Sequence, residues 1–76
     1  MMYYIHVNDT RYNDGLIHYR KFGTSYKDWN EVYTDNADQI KRYCQENLKN
    51  DDEAYSINPH IYVASEKELS LIMLMI

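Results

Sequence analysis

The sequence predicts an α+β fold: a small antiparallel sheet of four to five strands with one amphipathic helix packed on one face. Three observations carry this. Two aromatic and β-branched runs flank Asp14-Gly15, a helical apolar stripe runs from Ala37 to Leu48, and another strand-like run, Ile61-Tyr62-Val63-Ala64, follows Asn58-Pro59. At 76 residues the chain is expected to be a single domain, 1–76, with a marginal core.

Residues 3–7, Tyr-Tyr-Ile-His-Val, read as a strand stopped by Asn8-Asp9. Residues 16–22 read as a second. Asp-Gly between them is a hairpin signal, because both residues tolerate a positive φ. With Asp14-Gly15 as a two-residue turn, Val7 faces Phe22, His6 faces Gly23 and His18 faces Arg11. Asn8-Asp9-Thr10 then falls inside the first arm as a bulge or irregular stretch. Gly23-Thr24-Ser25 breaks the second strand, residues 26–28 are turn material, and residues 29–33 form a short third strand.

Residues 35–49 form the helix. Thr34 or Asp35 supplies an N-cap oxygen, and Ala37, Ile40, Tyr43, Cys44 and Leu48 make one apolar stripe. The acids Asp51-Asp52-Glu53 beyond its end oppose the helix dipole and favour a loop. Residues 61–64 are a strand. Residues 69–76 admit two readings. Ser65-Glu66-Lys67-Glu68 fits a capping box and favours a helix. The run is apolar on every side after Leu71, which favours a final strand covered on both faces, and the strand is preferred. The expected core is Ile5, Val7, Ile17, Ile40, Cys44, Leu48, Ile61, Val63, Leu71 and Met73.

The formal charge is −4, from 12 acids and 8 bases, and all of the excess lies in residues 35–76. Basic nucleic-acid binders usually read the other way, so direct nucleic-acid binding is disfavoured. Nine tyrosines stand out. Tyrosine suits half-buried strand surfaces and recognition patches alike. The start of the chain lacks a basic segment ahead of an apolar one, and residues 71–76 fall far short of the roughly 20 apolar residues of a spanning helix. No membrane association and a cytoplasmic location are expected.

Neither catalysis, a cofactor nor a metal site is expected. Cys44 lies on the apolar stripe, away from a helix N-terminus that would activate it. His6, His18 and His60 show no metal-ligand spacing, and the two-residue turn keeps His6 and His18 from being cross-strand neighbours. Asp51-Asp52-Glu53 lacks the spaced ligands and glycine of a calcium loop. The chain has two glycines and no phosphate-cradling loop.

Three surfaces invite docking. The acids Asp35, Asp38, Glu46, Asp51, Asp52, Glu53, Glu66 and Glu68 offer carboxylates to a groove built for phosphates. Tyr19, Tyr26, Trp29 and Tyr33 are candidate aromatic anchors. Leu71, Met73 and Met75 are a candidate homodimer seam. A competing feature is His18-Tyr19-Arg20-Lys21-Phe22, which interleaves bases and rings as single-strand-binding sheets do. Alternation puts Tyr19 and Lys21 on one side, and His18, Arg20 and Phe22 on the other.

Short length, abundant Tyr, Asn, Asp and Ile, and an acidic balance resemble the small early proteins of bacteriophages. Those proteins bind and inhibit host machines; they include sliding-clamp inhibitors, anti-CRISPR proteins and uracil-DNA glycosylase inhibitors, several of them DNA mimics. The likeness rests on composition over the whole chain. It implies an acidic, non-catalytic inhibitor of a host nucleic-acid-processing protein, first among them a sliding clamp, that occludes a basic DNA-binding surface. The alternatives are a single-stranded nucleic-acid-binding module and a non-catalytic structural subunit of an assembly.

Overall fold

A computed structural model describes residues 2–8, 15–48 and 54–76. The elements are β1 (Met2–Asn8), β2 (Leu16–Lys21), a 3-10 turn (Tyr26–Asp28), β3 (Asn30–Tyr33), α1 (Ala37–Asn47), β4 (Ala54–Asn58), β5 (Ile61–Ser65) and α2 (Glu66–Met73). The strands form one antiparallel sheet in the order β3-β2-β1-β5-β4, and both helices pack on the same face. The fold is α+β, as the sequence predicts.

Because β3 and β4 are the two edges, the chain must cross the whole sheet between them. Five strands span about 19 Å at the usual spacing. The 11 residues of α1 cover about 16 Å of that, at 1.5 Å each. On the way α1 lays Ala37, Ile40 and Cys44 on the sheet, and its C-cap Leu48 is also buried. Below them sit Ile5 and Val7 of β1, Ile17 of β2, and Tyr62 and Ala64 of β5; Leu69 and Ile72 of α2 complete the cluster. Burying each large aliphatic side chain contributes about 1.5–3 kcal/mol, which a domain this small needs.

The β1–β2 register differs from the two-residue-turn expectation. Val7 pairs with Ile17 and His6 with His18; Val7 does not face Phe22, nor His6 Gly23. The connection spans residues 9–15, longer than a tight turn. β1 ends at Asn8, and the bulge expected over Asn8-Asp9-Thr10 lies, beyond Asn8, outside the described residues. The Arg11 pairing expected for His18 lies outside the described residues, and His18 pairs with His6 and Glu31.

Gly15 does a different job from the one expected of it. Its φ is 78°, its carbonyl accepts from the Thr34 N–H at 2.7 Å, and a Cβ there would sit against the Thr34 carbonyl oxygen. The Thr34 hydroxyl accepts from the Asn36 N–H at 3.0 Å, so it orders the approach to α1, not its cap. Asn36, not Thr34 or Asp35, stands at the N-cap. Its side chain makes no cap bond and instead donates to the Met75 carbonyl at 2.8 Å, tying the C-terminal segment to the start of α1.

The preferred strand reading of residues 69–76 is overturned. Ser65 caps α2 by accepting from the Glu68 N–H at 3.3 Å, so the helix reading prevails. The fifth strand is β4, for which the sequence gives no strand signal. A final strand has no inner place to occupy, because β1 is paired on both sides and β5 lies between β1 and β4. As a helix, the segment turns Leu69 and Ile72 onto the core and leaves Leu71 outside. Leu71 is therefore not core, and Met73 only flanks it. In β5 the expected parity is reversed. Tyr62 and Ala64 face the helices opposite Ile5 and Tyr3; Ile61 is only partly buried, and Val63 is buried on the other face. Four consecutive apolar residues offer no alternation from which to choose.

Gly15→Ala should destabilise the fold by about 2 kcal/mol or more, since strain at a positive φ adds to the clash with Thr34. Urea denaturation with an unchanged m value would show it; a stability equal to wild type would refute the account.

Candidate interaction faces

The helix-free side of the sheet is built by the alternate residues of each strand. The register places Tyr4, His6 and Asn8 of β1 beside Leu16, His18 and Arg20 of β2. Glu31 and Tyr33 of β3 lie on one flank, and Ile61 and Val63 of β5 with Tyr55 of β4 on the other. No helix covers this side, so rings cover it. Tyr4 stacks on Phe22 with centroids 4.4 Å apart. The Arg20 guanidinium lies 4.7 Å from the Tyr4 ring centroid and 5.2 Å from that of Trp29. Its Nη1 donates to the Thr24 carbonyl at 2.7 Å, which fixes the group between the two rings, and its buried Nε has no hydrogen-bond partner among the described residues. Each cation–π contact at a partly exposed site is worth about 0.5–1 kcal/mol.

Beside this cluster the histidines converge, contrary to the sequence expectation. His6 and His18 are direct cross-strand partners with ring centroids 5.6 Å apart. His18 also lies 6.0 Å from the Trp29 ring, and its Nε2 is 3.7 Å from Glu31 Oε1. His60 enters from the β4–β5 turn, where its carbonyl accepts from the Val7 N–H at 2.9 Å. Burial is the first cause that lowers the His6 pKa below 6.5, followed by the charges of His18 and His60. Among the described residues, no three His, Cys, Asp or Glu side chains are grouped to hold a metal ion.

The opposite side carries the helices and most of the predicted acids. Asp35, Asp38, Glu46 and Glu66 are exposed there, and Glu68 is half-buried and accepts from the Tyr43 hydroxyl at 2.8 Å. Burial and then that bond push the Tyr43 phenol up to about 12. Asp35 sits in the turn before α1, not on the helix. Lys41, Arg42 and Lys67 share the same layer, so these acids are interleaved with bases. Asp51, Asp52 and Glu53 lie outside the described residues. Cys44 is fully buried, and burial together with the Glu68 carboxylate pushes its thiol up to about 12. It is a neutral packing group at ordinary pH.

The aromatic anchors separate. Trp29 belongs to the helix-free face, and Tyr33 is 67% exposed at its edge. Tyr26 is 69% exposed on the 3-10 turn. Tyr19 pairs with Ile5 and packs against the core on the helix side. Of the seam candidates, Met73 and Met75 also turn to the core, whereas Leu71 is outside beside the strongly exposed Leu74. Sequence reasoning missed Tyr4 and the pairing of His6 with His18. The signal was present in the alternation that puts His18, Arg20 and Phe22 on one side; the assumed turn supplied the wrong register.

His6 gives a pH prediction whose sign follows from its lowered pKa. Between the folded value and the unfolded value near 6.5, the unfolded chain binds more protons. This stability is present above about 6.5 and lost as pH falls through the folded pKa. The melting temperature should therefore drop from pH 7.5 towards 5.5, and His6→Gln should flatten that slope. An unchanged slope in the variant would remove His6 as its source.

No protein-family model, curated protein or solved structure matches the chain, so the functional reading is carried by these two faces.

Proposed function

We propose that this chain is a non-catalytic binding module that takes a single-stranded nucleic acid on its helix-free sheet face. The observation that carries the reading is the Tyr4–Phe22 stack with Arg20 held between Tyr4 and Trp29. Bases of any sequence can stack on such rings, and each stacked base contributes about 1–3 kcal/mol. Arg20 adds a fixed positive charge whose orientation is already set by Thr24. No helix on the described residues is long and apolar enough to cross a membrane, which is compatible with a nucleic-acid ligand in the cytoplasm.

The opposing term is the net charge of −4. Its distribution weakens it. Among the residues the strand register assigns to the helix-free face, Glu31 is the single carboxylate. The helix-layer acids point away from that face on a molecule whose shortest extent is 22 Å. Charges are screened over about 8 Å at physiological salt. A strand on the sheet therefore meets Arg20 and the histidines before it meets the acids of the helix layer.

A second reading uses the other side. Exposed Asp35, Asp38, Glu46 and Glu66 share the helix layer, which favours docking on a basic DNA-binding surface of a host protein, such as a sliding clamp, as an inhibitor. Lys41, Arg42 and Lys67 within that layer dilute its field, which puts this reading second.

Trp29 is the only tryptophan, so its fluorescence reports on the sheet face. Titration with an oligothymidine of about 12 nucleotides at low salt should quench it saturably. Arg20→Ala should weaken binding about tenfold, as loss of a desolvated cation–π contact would, while Glu46→Gln and Glu66→Gln leave it unchanged. Absence of quenching at low salt would overturn the reading. Salt-sensitive binding to a purified clamp, lost when the four acids become amides, would favour the second.

A further inference from the structure

His6 and His18 lie at the helix-free face, and the single-strand reading gives them no role. They face each other across β1 and β2 with ring centroids 5.6 Å apart. We propose that the sheet face binds its anionic strand together with protons, so that His6 and His18 make the affinity for single-stranded nucleic acid rise as pH falls. This rests on the single-strand reading of the same face.

The argument is one of crowding and relief. Around His6, the open face presents Tyr4 and Asn8 on its own strand. From β2 come His18 directly opposite and Arg20 diagonally, and from β5 Ile61 and Val63. Glu31 of β3 is the nearest carboxylate in the row, and it adjoins His18 rather than His6. Among the described residues, the face thus gathers imidazoles with little negative charge between them. Mutual repulsion and partial burial oppose protonation of His6. A phosphate backbone laid across the row supplies the missing negative charge. Each imidazolium is then favoured in the complex over the free face, and by linkage a ligand that favours the protonated form binds better where protons are plentiful.

The magnitude is bounded. A histidine whose pKa rises by one unit on binding contributes up to about tenfold in affinity across its titration range. Two such groups would give up to about a hundredfold.

The test is the oligothymidine titration of wild type, His6→Gln and His18→Gln at pH 5.8 and 7.8, at constant ionic strength. Thymine carries no group that titrates in this range, so the pH dependence belongs to the protein. Circular dichroism at both pH values confirms that each variant is folded; His18→Gln serves if His6→Gln unfolds. The expected result is affinity at least about fivefold higher at pH 5.8 for wild type, with the ratio falling towards one in the variants. Binding of equal strength at both pH values overturns the proton linkage and leaves the single-strand reading standing. No binding at either pH overturns the reading itself. A pH ratio retained by every folded variant overturns the assignment to these histidines.

Discussion

The structure depends on β1 being paired on both sides. Residues 2–8 form the middle of a five-stranded sheet, and neither neighbour is complete without them. One partner, β2, follows closely in sequence. The other, β5, lies more than fifty residues away, so the strand that starts the fold is finished only when the chain returns. Long-range closure of this kind costs chain entropy before it gains contacts. The gain comes from Ile5 and Val7, both fully buried beneath the helices. In a domain with so little core, the sheet and the helix layer stabilise each other through those two residues.

Strand parity then makes the two faces inseparable. If Ile5 and Val7 point to the helices, Tyr4 and His6 must point away. The helix-free side is accordingly well organised without a second layer. Val63 is fully buried there although it lies outside the main core cluster, because Tyr4 and Tyr55 flank it from the neighbouring strands. Rings that shield Val63, stack on Phe22 and hold Arg20 have little freedom left to lose. A ligand meeting them would not have to order them, which lowers the entropic cost of binding.

How much of this was legible in the sequence follows from what each residue pattern encodes. The α1 stripe was readable because Ile40, Cys44 and Leu48 repeat at helical spacing with charged residues between them. The first three strands were readable because aromatic and β-branched runs alternate with turn residues. β4 was not: Ala-Tyr-Ser-Ile-Asn carries a weak apolar pattern after three acids, and its pairing is interrupted by an irregularity between Ser56 and Asn58. It is held by an Asx turn, in which Asn58 Oδ1 accepts from the N–H groups of His60 and Ile61. The tail was misread because an apolar run does not by itself state its period. The site was half legible for a related reason. Alternation along β2 grouped His18 with Arg20 and Phe22, but pairing across strands is a tertiary fact. One assumed turn length moved His6 five residues along its partner, away from His18 and the rings.

The abundance of tyrosine finds its account in the same geometry. A small two-layer fold has few positions that are wholly inside and many at a boundary, where a side chain must bury a ring and still satisfy a hydroxyl. Tyr62 is the inner limit: it lies under the helices opposite Ile5 and donates to the Pro59 carbonyl at 2.7 Å, closing the turn that carries His60. Tyr43 bridges the two helices through Glu68. Tyr3 and Tyr19 close the rim of the core, while Tyr4 and Tyr55 roof Val63 on the side that has no helices. These roles need a ring of one size with a polar end, and phenylalanine would leave its edge against water or its neighbour's acceptor unpaired. Structural demand thus explains most of the tyrosines without invoking a ligand. What it leaves unexplained is the cationic pair of contacts at Arg20 and the gathering of histidines beside it, and those are the features on which a functional reading of this face has to stand.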